Sequence, residues 1–206
     1  MSKIITIHPD SPQLRLIRLV VDALKKGEVV AYPTDSSYAL ACHMGDKKAL
    51  DRIRQIRQID EKHHLTLVCK DLSEISNYAR VGNDHYRLMK SNTPGAYTFI
   101  LEASKEVPKR LMHPKRKTIG LRIPDHAITQ AILEELGEPF MSTSLILPGK
   151  TQALVEPWDI NEQIGHSVDL IVDGGYCADE DTTVVSFLDE VPQIVRQGRG
   201  SASILG

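Results

Sequence analysis

Several familiar things are missing from this 206-residue chain, and each absence removes a class of answer. No apolar stretch approaches the roughly 20 residues that cross a bilayer, and Met1 to Asp10 contains no signal-like apolar core. A soluble, cytoplasmic protein with no membrane partner is therefore expected. Its three cysteines, Cys42, Cys69 and Cys177, are odd in number and have no CxxC spacing, so reduced and mostly buried thiols are expected rather than a disulfide framework. No low-complexity tract, repeat or Ser/Gly linker divides the chain, which reads as one domain from residue 1 to 206. Familiar catalytic devices are absent too: there is no GxxxxGK[ST] loop, GxGxxG turn, GxSxG elbow or HExxH helix. Gly198-Arg199-Gly200 is too short and too terminal to replace them.

The chain also lacks a strong net charge, at -2, but that sum hides a division. Met1 to Asp51 carries 7 Lys/Arg against 6 Asp/Glu, Arg52 to Arg122 carries 15 against 7, and Ile123 to Gly206 carries 3 against 14. A basic middle third can present a positive surface to polyphosphate or nucleic acid, or it can form ordinary solvated helix faces.

The remaining residues are organised around Val29 to Cys42, VVAYPTDSSYALAC. A β-branched run that ends at a proline and gives way to Thr34, Asp35, Ser36 and Ser37 reads as a buried strand feeding a loop of hydroxyls. Such a loop either makes a turn or binds a small polar ligand. Further strands are predicted at Ile4 to Ile7, Val29 to Tyr32, Leu65 to Cys69, Tyr97 to Ala103, Thr118 to Ile123, Phe140 to Ser144, Leu170 to Asp173, Thr183 to Leu188 and Gln193 to Arg196. Helices are predicted from Ser11-Pro12 to Gly27, from an Asp46 cap to about Arg57, over Ser73 to Tyr78 and Asn83 to Lys90, from an Asp125 cap to Leu136, and from Pro157-Trp158 to Ile164. Helices alternate with strands early, and several strands follow one another late. That order indicates an α/β fold with a mixed sheet rather than a doubly wound parallel one.

Polar groups recur at the ends or on the polar faces of these strands: Thr34/Ser36, Thr118/Arg122, Ser142/Ser144, Thr182/Thr183 and Arg196. Ligand sites in α/β sheets gather at strand ends, although a single hydroxyl there more often satisfies backbone groups. His63-His64 reads as a polar contact near an anion, or as solvent-exposed, in preference to a zinc site.

Taken in order, AYPTDSSYALAC, TPGAYTFIL, TIGLRIPDH, FMSTS, DLIVDGG, DTTVVSF and IVRQGR resemble the YrdC-like threonylcarbamoyl-AMP synthases, most nearly the YciO branch of that family. The resemblance covers nearly the whole chain. It implies a single-domain twisted open sheet with flanking helices and a concave basic surface. It also implies ATP, brought with Mg2+, and L-threonine as substrates, no tightly bound cofactor, and double-stranded RNA or tRNA as a partner. Family synthases join threonine, bicarbonate and ATP into threonylcarbamoyl-adenylate and release pyrophosphate. Carried over, the pattern places Thr34, Ser36, Arg122 and Thr182 at threonine, Thr118, Ser142 and Arg196 along the nucleotide, and Arg57, Ser142 and Ser144 at the chemistry; His63 is expected at the nucleotide as a partial substitute for a lost cation. The basic residues Arg52, Arg54, Lys109, Arg110, Lys115, Arg116 and Lys117 would hold RNA. Two positions depart from the family: Arg57-Gln58-Ile59 stands for Lys-x-Arg, and Ser142-Thr143-Ser144 for Ser-x-Asn. The departures point to weakened synthesis, to a relative that hydrolyses the adenylate, or to an RNA-binding paralogue.

Overall fold

In the computed structural model, which describes residues 1–205, one ten-stranded sheet organises the chain. The elements in chain order are β1 (Lys3–Thr6), α1 (Leu14–Lys25), β2 (Val30–Tyr32), β3 (Ala39–His43), α2 (Lys47–Arg57), β4 (Thr66–Val68), α3 (Leu72–Tyr78), α4 (Asn83–Asn92), β5 (Tyr97–Glu102), β6 (Thr118–Arg122), α5 (Ala127–Leu136), β7 (Phe140–Ser144), α6 (Pro157–Ile164), β8 (Leu170–Asp173), β9 (Thr183–Ser186) and β10 (Gln193–Arg196). Across the sheet the order is β1-β8-β2-β3-β7-β4-β6-β5-β9-β10. Four pairings are parallel, β1 with β8, β2 with β8, β4 with β6 and β5 with β9; the other five are antiparallel. The mixed α/β sheet read from the sequence is therefore present.

Local chemistry accounts for several boundaries. Asp46 caps α2 by accepting from the Ala49 amide at 2.8 Å, and Gln58 ends that helix in the left-handed region at φ 50°. Gly137 closes α5 at φ 75°. Two expected caps differ. Helix α1 begins at Leu14 with Gln13 as its uncapped N-terminal residue, three positions after Ser11. In α5 the cap is His126, whose ring accepts from the Ile128 amide at 3.2 Å, while the preceding Asp125 amide donates to the Asp35 carboxylate. One element was missed outright: β3, the strand immediately after the hydroxyl loop.

Strand alternation sorts the core onto two faces. One face packs against α2, α3 and α6 and runs the width of the sheet, from Ile171 through Leu40, Met141, Leu67 and Leu121 to Phe99 and Val185. On the other face α1 and α5 press Ile17, Val20, Leu24, Ile128 and Leu133 onto Val172, Val30, Tyr32, Ala41, Phe140 and Val68. Full burial of such aliphatic side chains stabilises by about 1.5–3 kcal/mol each. No residue of β5, β6 or β9 belongs to this second core among the described residues. Helices thus cover only half of that face. The uncovered half is where a ligand can reach the sheet.

All three cysteines are buried and unbridged, as expected. Among the described residues, no helix is long and apolar enough to cross a membrane.

Candidate functional site

The uncovered face is floored by side chains that alternation turns away from the continuous core. Thr118, Gly120 and Arg122 of β6 point there while Ile119 and Leu121 are core, and Thr66, Thr98, Ser142, Ser144 and Val184 join from neighbouring strands. Gly120 keeps the floor low: a Cβ at that position would lie 2.9 Å from Thr66 Oγ1 and 3.1 Å from the Leu65 carbonyl.

Above this floor is a cavity of about 370 Å³, lined by Arg57, Lys62, His63, His64, Ser144, Thr182 and Arg196 among others. Its lining holds three cations and, among the described residues, no carboxylate. Thr66, Thr98, Thr143, Ser144 and Thr182 also border a deeper recess of about 30 Å³, completed by Ser36, Ser37, Ala39, Arg122 and Ser142. The outer chamber is cationic and the inner one is hydroxyl-rich.

Arg57 comes from the last turn of α2 and is buried. One of its terminal nitrogens donates to Thr143 Oγ1 at 2.6 Å and to the Ser144 carbonyl. It makes no ion pair among the described residues, and its Nε has no partner. Burial pushes its pKa down, partly offset by the field of Asp181. A buried guanidinium with no ion pair among the described residues is a ready anion receptor. Arg196 is more committed: it donates to the Thr182 carbonyl at 3.0 Å and pairs with Asp181 at 3.7 Å.

His63 is exposed on the rim, and its partial burial, the charge of Arg57 and the neighbouring His64 lower its pKa. His64 stacks against His113 with ring centres 5.3 Å apart and lies 3.3 Å from Thr118 Oγ1. Burial and then the charges of His113 and Arg116 lower its pKa as well. Both rings are thereby biased toward the neutral form.

The recess is shaped by the loop after β2. Thr34 donates to the Ser37 carbonyl at 2.6 Å and accepts from the Ser36 amide at 3.0 Å, so it builds the loop and lines neither chamber. Ser36 does face the recess. Arg122 reaches the same place but is ion-paired to Asp35, with Ser36 Oγ 3.4 Å away and its Nε unpartnered. The sequence reading had left that guanidinium free for a carboxylate. Thr182 is held by Thr98 at 2.8 Å, and Ser142 by Tyr32 at 2.7 Å. Thr118 is buried beneath His64 and does not line either chamber.

The basic residues expected at RNA divide into two groups. Arg52 ties α2 to the loop before β8 through Asp169 at 2.6 Å and the Ser167 carbonyl at 2.9 Å, so its charge is used internally. Arg54 donates to the Arg110 carbonyl, and Arg110 to that of Gly45. Lys109, Lys115, Arg116 and Lys117 are exposed, with no ion pair among the described residues. Lys62 and Tyr32 were not foreseen. Lys62 sits on a loop with no periodicity to orient it, and Tyr32 reads as ordinary core. Gly198-Arg199-Gly200 has a packing role: the Gly198 amide donates to Thr183 Oγ1 at 3.0 Å, and that hydroxyl donates to the Gly200 carbonyl at 2.6 Å. Among the described residues, no group of three or more His, Cys, Asp or Glu is placed to hold a metal.

A family model described as Telomere recombination, covering the Sua5, YciO and YrdC proteins, matches residues 22–198. The uncharacterised protein YciO of Escherichia coli is 52% identical over 200 residues, 97% of each chain. Its crystal structure superposes with a TM-score of 0.97 over the full length of both chains. A threonylcarbamoyl-AMP synthase of Vibrio vulnificus is 30% identical over 161 residues, 77% of this chain and 86% of its own. A crystal structure of P. abyssi Sua5 complexed with L-threonine shares the fold, with TM-score 0.88 and 23% identity, over 96% of this chain and 58% of Sua5. On the family-model match, the sequence identity and the YciO superposition, this chain belongs to the Sua5/YciO/YrdC family.

Proposed function

We propose that this chain binds ATP in the outer chamber and L-threonine toward the recess, and that it forms or processes threonylcarbamoyl-AMP. One observation carries the reading: Arg57, Lys62 and Arg196 converge on one cavity whose lining offers no opposing carboxylate. A polyphosphate is the ligand such a lining favours, and about 370 Å³ lies within the range of small-molecule sites. The kinship with a synthase and with a threonine-bound Sua5 supports the choice of amino acid.

In the forward direction, the threonine amine adds to the carbon of bicarbonate with loss of water, giving a carbamate. A carbamate oxygen then attacks the α-phosphorus, the bond to the bridging oxygen breaks, and pyrophosphate leaves. Little of this requires a proton to be moved by the protein during the phosphoryl step. Holding the two reactants together and neutralising the departing charge supplies most of the help. Arg57 and Lys62 would face the leaving pyrophosphate and Arg196 the nucleotide, while Ser142 and Ser144 would donate to oxygens near the reacting centre. The lining has no carboxylate for a cation, so Mg2+ would arrive as part of the nucleotide substrate. Ile59, where the family carries a second cation, packs partly buried against the core, and Lys62 three residues later brings a positive charge to the same chamber.

Purified protein incubated with ATP, L-threonine and bicarbonate should release pyrophosphate and accumulate the adenylate. Supplied threonylcarbamoyl-AMP should be hydrolysed or reversed if the chain works in the other direction. Inactivity in both assays beside an active family synthase would refute catalysis, and calorimetry with ATP would then decide whether binding alone survives.

A second reading rests on a separate observation. Lys109, Lys115, Arg116 and Lys117 form an exposed basic group with no ion pair among the described residues, and the charge of Arg116 reaches His64 at the chamber wall. The proposal is that RNA phosphates lie across this patch, with little sequence preference and steep loss of affinity in salt. Retention of tRNA or duplex RNA that ignores salt, or that survives neutralising all four residues, would argue against it.

A further inference from the structure

Tyr32 is fully buried, and its hydroxyl has one hydrogen-bonding partner, Ser142 Oγ at 2.7 Å. Strand β3 lies between them. Tyr32 is in register with Ala39, and Ser142 with Ala41, so at these two positions the intervening strand turns only methyl groups toward this face and leaves the phenol room to reach the serine. The edge of Phe140, with ring centres 5.3 Å apart at 83°, holds the ring in place. Ser142 in turn lines the recess.

Distance alone does not say which oxygen donates. Chemistry does. The phenol has no other acceptor, and a buried donor left unmade carries its full desolvation penalty. Ser142, open to the recess, has a second direction for its own proton, and a phenol is the stronger acid of the two. Burial raises the Tyr32 pKa to about 12, so its proton stays in place across the neutral range. With the phenol donating, the serine oxygen accepts from behind and its proton is turned forward.

We infer that Tyr32 is a positioning residue that fixes Ser142 as a donor toward an oxyanion, a carboxylate or phosphate oxygen, in the recess, and so disfavours any ligand presenting an N–H there. The inference rests on the ligand reading above and adds the residue that sets the polarity of its inner site.

The test is a double-mutant cycle: wild type, Y32F, S142A and Y32F/S142A are titrated with ATP and separately with L-threonine by calorimetry, and ligand-free unfolding midpoints are recorded in parallel. For whichever ligand S142A weakens, Y32F should weaken binding by about three- to tenfold, the scale of one hydrogen bond. In the S142A background Y32F should cost less than twofold, whatever it does to the midpoint. S142T, which keeps a hydroxyl, should bind more tightly than S142A and restore the dependence on Tyr32. Equal losses in both backgrounds, or no loss from Y32F in the wild type, overturn the inference and leave the ligand reading standing. Wild type that binds neither ligand overturns both. If Y32F does not fold, S142T binding no better than S142A overturns the inference by itself.

Discussion

Arg57 and Lys62 line the same chamber but differ in burial, so the proposed anion would draw on them unequally. Arg57 is 9% exposed and its guanidinium is already oriented by Thr143 and Ser144, so an anion pays little to order it. Replacing it with methionine keeps much of the volume and removes the charge; ATP affinity should fall by at least about tenfold, as for a lost charge-assisted hydrogen bond. Lys62 is exposed and makes no ion pair among the described residues, so K62A should weaken ATP by only about two- to fivefold, with no change in unfolding midpoint. Calorimetry and thermal melts check both, and equal losses from the two substitutions would contradict that inequality. At this scale the sequence was half legible. Alternation alone put Arg122 on the polar face of β6, but nothing local revealed that Asp35, 87 positions away, would claim its charge. Thr34 misled for a related reason: a hydroxyl that builds a loop and one that faces a ligand look alike until the turn is closed.

Among the elements, β3 and β6 teach opposite lessons. Ile119, Leu121 and Ile123 announce a strand, whereas Tyr38 to Cys42 hides one, because alanine favours strands weakly and β3 draws its stability from pairing on both sides. The alanines that conceal it are also what let Tyr32 cross to Ser142. On β6, Gly120 leaves the chamber floor open, and its smallness is needed for space rather than for backbone freedom. G120A should cost about 1–3 kcal/mol through crowding against Thr66 and the Leu65 carbonyl, and should weaken ATP at the same time. Chemical denaturation and calorimetry read the two effects. A variant that is fully stable and binds normally would mean the floor yields. The caps show a finer limit: Asp46 was readable, while at α5 the cap falls one residue later, on His126, and the Asp125 amide is held by Asp35 from 90 positions away.

For the whole molecule, charge placement gives a pH dependence with a definite sign. His63, His64 and His126 all have folded pKa values below the usual 6.5, each chiefly because burial disfavours the charged ring. Below 6.5 the unfolded chain therefore takes up more protons than the folded one, and the ligand-free protein should lose stability as pH falls from 6.5 toward the lowered values. Protonating His63 and His64 also adds charge to a chamber already lined by three cations. An anion relieves that cost, so ATP should bind more tightly at pH 5.5 than at 7.5 and raise the unfolding midpoint more at the lower pH. Paired melts with and without ATP test this, and the pH effect on binding should flatten in H63A/H64A. The sequence showed the mixed architecture and the strand-end hydroxyls because both follow from short-range patterning. It could not show that α1 and α5 stop short of β5, β6 and β9, since that depends on how distant segments share one face.

That half-bare face has a consequence for how such proteins diversify. Along β4, β5, β6 and β9, Thr66, Thr98, Gly120 and Val184 line the chamber while their immediate neighbours Leu67, Phe99, Leu121 and Val185 hold the interior. Thr66, Thr98 and Val184 can be rewritten with less disturbance to the scaffold than their inward neighbours, while Gly120 is held small by Thr66 and the Leu65 carbonyl. A lineage could exchange one guest for another by small changes at these alternate positions and keep the same frame.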